Sequence, residues 1–326
     1  MCNWEKRIFQ NLSEKEFEDL ALELFRFQYA HNSVYRTYCR YLEINPEEVS
    51  SFYRIPFLPV SFFKTHRINT TDFEAETVFT SSGTSGMETA RHYVKSLKLY
   101  EKAFMESFRY FYGDPQPYTF LALLPSYLER EGSSLIYMVD NLIRLSDSPH
   151  SGFYLYDHQT LYDTLCKTKK EGRKTILFGV SYALLNFSEQ FPMDYPGLII
   201  FETGGMKGRR EELVKEDLHG RLKKAFGVNE IHSEYGMCEL LSQAYSGGQN
   251  IFFTPPWMKL LLRDEKDPFF VSDNLSSGII NVIDLANVYS SAFIATDDLG
   301  KKNGPGTEIT GRVDYAGIRG CNLLVI

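Results

Sequence analysis

No stretch of about 18 or more apolar residues occurs in this 326-residue chain, so the sequence offers nothing that would span a bilayer. The opening Met1-Cys2-Asn3-Trp4-Glu5-Lys6-Arg7 lacks the apolar core of a signal peptide. Cysteine is scarce: Cys2, Cys39, Cys166, Cys238 and Cys321 are odd in number, scattered and without paired spacing. That argues against a zinc knuckle or a disulfide frame and fits a reducing cytoplasm. There is no Lys/Arg block, and the formal charge of -7 argues against a nucleic-acid surface or an anionic-membrane patch. Also missing is any glycine-rich loop ending in Gly-Lys-Ser/Thr, the phosphate loop of ordinary NTPases.

What is present describes an ordinary soluble protein. The chain is long enough for one large domain or two, and 43% hydrophobic against 24% charged residues suits a globular core. Its most informative stretch is Val78-Phe79-Thr80-Ser81-Ser82-Gly83-Thr84-Ser85-Gly86. Glycines let a backbone approach a ligand closely, and a run of amide and hydroxyl donors can wrap phosphate oxygens. The same composition also suits a solvated Ser/Gly turn.

The first third reads as helical. Ser13-Glu14-Lys15-Glu16 forms a capping-box pattern that opens a helix through Phe27, with Phe17, Leu20, Leu24 and Phe27 on one face. A second helix covers 33–42, and Pro46, Pro56 and Pro59 then impose an extended segment through Phe62 and Phe63. After the Ser/Gly stretch, a helix over 97–112 is followed by alternating strands and helices: strands at 119–124, 152–156, 175–178 and 197–201, helices at 133–143, up to about 170, and 181–191. Such alternation predicts a largely parallel, doubly wound α/β sheet. Near Gly247 the character changes to short strands (252–253, 258–262, 269–271, 279–283, 292–295), which predict an appended antiparallel sheet or small barrel. The expected division is an α/β body over 1–246, a β-rich subdomain over 247–310 and a short tail over 311–326.

Four further segments follow the Ser/Gly stretch. Glu202-Thr203-Gly204-Gly205-Met206 leaves a strand, and Tyr235-Gly236-Met237-Cys238-Glu239 follows strand-like residues. Thr296-Asp297-Asp298-Leu299-Gly300 and Gly311-Arg312-Val313-Asp314 with Arg319-Gly320 close the chain. This ordered series resembles the adenylate-forming, acyl-activating superfamily, and within it the LuxE-type acyl-protein synthetases. The short chain, the Gly204–Gly208 turn and Cys321 beside Arg319-Gly320 favour that branch. The resemblance implies a large α/β domain with a small β-rich subdomain, and a mobile C-terminal lid that is absent or vestigial.

It also implies ATP and Mg²⁺. Thr80, Ser81, Ser82, Gly83, Thr84, Ser85 and Gly86 would hold phosphates, and Glu239 would bind the metal. Gly204, Gly205, Tyr235 and Gly236 would enclose adenine, Asp298 and Arg312 would fix the ribose, and Cys238 would be a contact residue near the α-phosphate. Cys321 would carry the acyl group, with Arg319 favouring its thiolate, for delivery to a partner acyl reductase. Three departures stand out: Asp297 where the family usually has Gly, Cys238 at a hydroxyl position, and Thr89 where many members have Lys. Arg91 is the nearby cation for that last role. Two alternatives remain open: an aryl- or acyl-CoA ligase-like enzyme that passes the adenylate to CoA or a carrier protein, and a non-catalytic nucleotide-binding subunit.

Overall fold

A computed structural model of the chain describes residues 4–81, 89–125, 131–204 and 214–313. It begins with helices α1 (Trp4–Ile8), α2 (Glu14–His31) and α3 (Ser33–Tyr41). Both arms of the expected capping box are made: Ser13 Oγ accepts the Glu16 N–H, and the Glu16 carboxylate accepts the Ser13 N–H at 2.9 Å. The helix runs one turn past Phe27 because nothing stops it before Asn32. The Asn32 side chain caps α3 by accepting the Tyr35 N–H at 3.0 Å.

The proline-rich segment is extended only in part. Strand β1 (Leu58–Pro59) is followed by the short helix α4 (Phe62–Thr65), where an extended chain was expected. Pro59 restricts the residue before it but leaves the residues after it free to turn, and burial of Phe63 fixes the turn.

Strands β2 (Thr77–Thr80) and β3 (Arg91–Val94) pair antiparallel. Then come α5 (Leu97–Tyr112), β4 (Tyr118–Leu123), α6 (Ser134–Leu145), β5 (Gly152–Phe153), α7 (His158–Lys170), β6 (Lys174–Gly179), α8 (Ser181–Gln190), β7 (Leu198–Glu202), α9 (Lys215–Phe226), β8 (His232–Tyr235) and β9 (Ala244–Ser246). The sheet order is β5-β4-β6-β7-β8-β9, parallel except for the final β8–β9 pair. All six residues of β4 are buried, as expected of a strand covered on both faces.

The second sheet contains β10 (Ile251–Phe252), β11 (Met258–Arg263), β12 (Ser277–Asp284), β13 (Phe293–Asn303) and β14 (Gly306–Arg312), in the order β10-β14-β13-β12-β11 and antiparallel throughout. Strand β1 adds to it in parallel, on β13 at Ile294 and Ala295. With β12 on one edge of β13, β1 and β14 follow one another along the other edge. Residues 269–271 form no strand. Val271 alone bridges to Arg263, and Phe269 and Phe270 are exposed beside acidic turn residues that hold the backbone. Among the described residues, no helix is long and apolar enough to cross a membrane.

Candidate active site

Loops from the carboxyl ends of β6, β7 and β8 meet at one edge of the parallel sheet, where open α/β sheets bind ligands. The neck of the Ser/Gly loop reaches the same edge, since the Thr80 N–H donates to the carbonyl of Gly132 in the loop after β4, at 2.8 Å. Gly132 has φ +81°, and a Cβ there would lie 3.2 Å from Thr80 Oγ1. Ser81 closes the neck from its own side: its N–H donates to the Ala90 carbonyl at 3.1 Å and its Oγ accepts the Ala90 N–H at 3.0 Å.

Gly204, at φ +133°, is held at both polar atoms. Its N–H donates to Glu202 Oε1 at 3.0 Å, and its carbonyl accepts the Ser181 N–H at 3.0 Å. The Ser181 hydroxyl is within reach of that carbonyl and of Glu202 Oε1. Glu202 is itself buried, with Lys215 Nζ at 3.8 Å and His219 Nε2 at 4.0 Å. Burial pushes this carboxyl up. The His219 ring, the Lys215 ammonium, the Ser181 hydroxyl and the Gly204 N–H outweigh it and hold the group down at about 2. From the sequence alone Glu202 is only the start of a turn. Its partners come from α8 and α9, and no local pattern joins them.

The Asp298 carboxylate is buried and bridged. Tyr235 Oη donates to Oδ2 at 2.8 Å, and Arg312 Nε donates to Oδ1 at 2.9 Å. Asp298 and Arg312 face each other in the β13–β14 register, so the ladder itself sets the pair. Behind it, Thr296 Oγ1 accepts the Asp298 N–H at 3.1 Å and donates to the Ile280 carbonyl at 2.7 Å. The buried Arg263 guanidinium donates to the Thr296 carbonyl at 2.7 Å and to Asn281 Oδ1 at 2.6 Å. Having Asp rather than Gly at position 297 leaves this arrangement in place, and the Asp297 carbonyl accepts the Val313 N–H at 2.8 Å.

Past Gly236 the chain turns, with the Leu240 N–H donating to the Met237 carbonyl at 3.1 Å. Cys238 and Glu239 are both buried, and Cys238 Sγ donates to Glu239 Oε2 at 3.2 Å. Burial, then the Glu239 charge, pushes the Cys238 thiol far up. A thiol kept protonated this way is a poor nucleophile. Burial also raises the Glu239 carboxyl, partly offset by the Cys238 thiol, a backbone N–H and the charges of Arg312 and Lys64.

Two anchors fix this turn. His92 Nδ1–H donates to the Cys238 carbonyl at 2.7 Å, and burial lowers that imidazole to about 4. Asp284 accepts the N–H groups of Leu241 and Ser242 at 2.8 and 2.9 Å. Glu234, one residue before Tyr235, is also pushed up by burial, to about 8. His232, by contrast, is engaged by the Tyr112 hydroxyl at 2.9 Å.

Among the described residues, no group of three or more His, Cys, Asp or Glu could hold a metal ion alone. Mg²⁺ does not require one, since it is commonly held by one or two carboxylates together with phosphate oxygens and water. Glu239 fits that use, because the side-chain hydrogen bond to its carboxyl comes from a weak thiol donor. Ser82, Gly83, Thr84, Ser85, Gly86, Gly205 and Cys321 lie outside the described residues.

Comparison with known proteins gives this arrangement relatives. Residues 8–110 match the sequence family described as "Acyl-protein synthetase, LuxE". Over 325 aligned residues the chain is 26% identical to the long-chain-fatty-acid–luciferin-component ligase of Vibrio harveyi, covering 92% of this chain and 84% of that protein. Among solved structures, it is similar to the O-succinylbenzoate coenzyme A synthetase MenE of Bacillus subtilis, solved with ATP and a magnesium ion (TM-score 0.50, 16% identity, 76% of this chain and 53% of that one). MatB of Rhodopseudomonas palustris gives a TM-score of 0.51 at 14% identity, over 72% of this chain and 47% of that one. The chain thus spans about half the length of these solved proteins. Over residues 8–110 it is similar to the LuxE acyl-protein synthetases, and its fold is that of the adenylate-forming enzymes.

Proposed function

We propose that the chain is an ATP-dependent acyl-protein synthetase that activates a carboxylic acid as the acyl-adenylate and receives the acyl group on Cys321. The observation that carries this reading is the Tyr235–Asp298–Arg312 constellation beside Glu239, at the carboxyl edge of the sheet. A long-chain fatty acid is the proposed substrate, from the name of the Vibrio harveyi relative.

A carboxylate is a poor electrophile, so its oxygen attacks the α-phosphorus of ATP, the bond to the β-phosphate oxygen breaks, and pyrophosphate leaves. Residues that position and neutralise charge dominate such a step. In this reading Thr80 and Ser81 open the phosphate cradle formed with Ser82–Gly86. The clamped Gly204, followed by Gly205, lines the adenine with Tyr235 and Gly236, Cys238 lies near the α-phosphate, and Asp298 accepts the ribose hydroxyls beside Arg312. Glu239 would hold Mg²⁺, which supplies charge neutralisation for the phosphates. The Cys321 thiolate then attacks the acyl carbon, the carbon–oxygen bond to the phosphate breaks, and AMP leaves. The thioester is passed to a partner, proposed as an acyl reductase. The free Cys39, Cys166 and Cys238 fit a reducing cytoplasm as the setting.

The test is incubation with ATP, Mg²⁺ and radiolabelled fatty acid, following pyrophosphate exchange and hydroxylamine-labile label on the chain. Cys321→Ser should keep exchange and lose the label. Label that survives the substitution refutes the Cys321 assignment, and exchange without any label supports transfer to CoA or a carrier protein instead.

A further inference from the structure

We infer that Lys64 binds the outer phosphates of ATP, the role left open by Thr89 after the Ser/Gly loop. This rests on the adenylating reaction proposed above. Three contacts bring α4 to the site. On one side, Leu58 and Pro59 pair with Ile294 and Ala295, and the Val60 N–H donates to the Ala295 carbonyl at 2.9 Å. Ala295 precedes Asp298 by three residues, about 10 Å along a strand. Strand β1 and the Arg312 end of β14 lie in succession on that same edge of β13.

On the other side, the buried Phe63 ring meets His92 edge-on at 5.8 Å, and His92 holds the Cys238 carbonyl. Lys64 therefore follows Phe63 on a helix that packs on the strand leaving the phosphate loop and, through His92, adjoins the Glu239 turn. It is exposed, and no hydrogen bond or ion pair engages its ammonium among the described contacts. Its charge reaches Glu239.

The competing cations are placed differently. Strand alternation turns Arg91 to the face of β3 opposite His92, away from Cys238 and Glu239. Arg312 is committed to Asp298, and Lys95 lies 3.9 Å from the centre of the Tyr289 ring. A mobile four-carbon ammonium suits a phosphate whose position shifts as pyrophosphate departs.

The experiment is calorimetric titration of ATP and of AMP, each with Mg²⁺ and without acid, into the unsubstituted chain, Lys64→Ala, Lys64→Arg and Arg91→Ala. Lys64→Ala should weaken ATP about tenfold or more, the scale of a charge-assisted hydrogen bond, and leave AMP within about twofold. Lys64→Arg should restore most of the ATP affinity, and Arg91→Ala should keep the ATP-to-AMP ratio. Because the Lys64 side chain is exposed, melting temperature should not move. An unchanged ratio in Lys64→Ala, with ATP bound normally by the unsubstituted chain, overturns the Lys64 assignment alone. Failure of the unsubstituted chain to bind ATP overturns the adenylating reading with it.

Discussion

Replacing Glu202 by glutamine keeps the shape of the side chain and one acceptor oxygen but removes the charge at the centre of the Gly204 clamp. The folded chain holds this carboxyl at about 2, against an ordinary 4.5. At about 1.4 kcal/mol per pH unit, that depression is worth about 3 kcal/mol of stability. The unfolded chain takes up the proton first as pH falls. The contribution is therefore complete above about pH 5 and is lost between about 4.5 and 2, with about 1 kcal/mol gone at pH 4 and about 2 at pH 3. Urea unfolding of the two proteins across this range gives the difference directly. Glu202→Gln should be about 2–3 kcal/mol less stable at pH 7, with the gap narrowing toward pH 3. A gap that stays constant with pH, or one below about 0.5 kcal/mol at pH 7, would refute the view that the ionised Glu202 organises this turn.

Other measurements bear on neighbouring groups. His92, lowered from 6.5 to about 4 by burial, must stay neutral in the folded state, so stability should fall as pH drops through that window. From pH 7 to pH 5 the loss should be about 2 kcal/mol, and it should shrink in His92→Gln when followed by chemical unfolding at each pH. The Arg312 side chain is 71% exposed, so Arg312→Ala should cost no more than about 1 kcal/mol of stability. If it fixes the ribose, the same variant should weaken ATP and AMP alike in a titration, a pattern opposite to that expected of Lys64→Ala.

Much of this was legible where chemistry is local. Ser13 and Glu16 announce a helix start because the two side chains satisfy each other's backbone, and Leu97–Tyr112 is a helix between the bounds its apolar spacing gives. The Tyr235–Glu239 segment stands out because turns at strand ends use few residue types, whereas Thr296–Asp298, turn-like in composition, lies inside β13. What escaped depends on distant partners. Helix α9 is largely polar and lies between the Gly-Gly turn and β8, so its apolar stripe is faint. Strand β14 carries three exposed residues in succession and is a strand because β13 pairs with it. Phe269–Val271 looks like a strand by composition, but no neighbour offers it a ladder. Lys64 and Arg263 drew no notice, because a lone cation acquires meaning only from what is folded against it.

The pairing of β1 with β13 also dictates an order of assembly. Gln28 on α2 donates to the carbonyls of Asn287 and Val288, 259 and 260 residues further on, and accepts the Ala292 N–H. During synthesis, at roughly 5–20 residues per second, the N-terminal helices wait on the order of 10–50 seconds for those partners to exist. Their apolar faces, with Phe17, Leu20, Leu24 and Phe25 buried in the finished protein, spend that time exposed. Final closure joins segments some 260 residues apart, and such long-range pairing makes for a slow-folding topology.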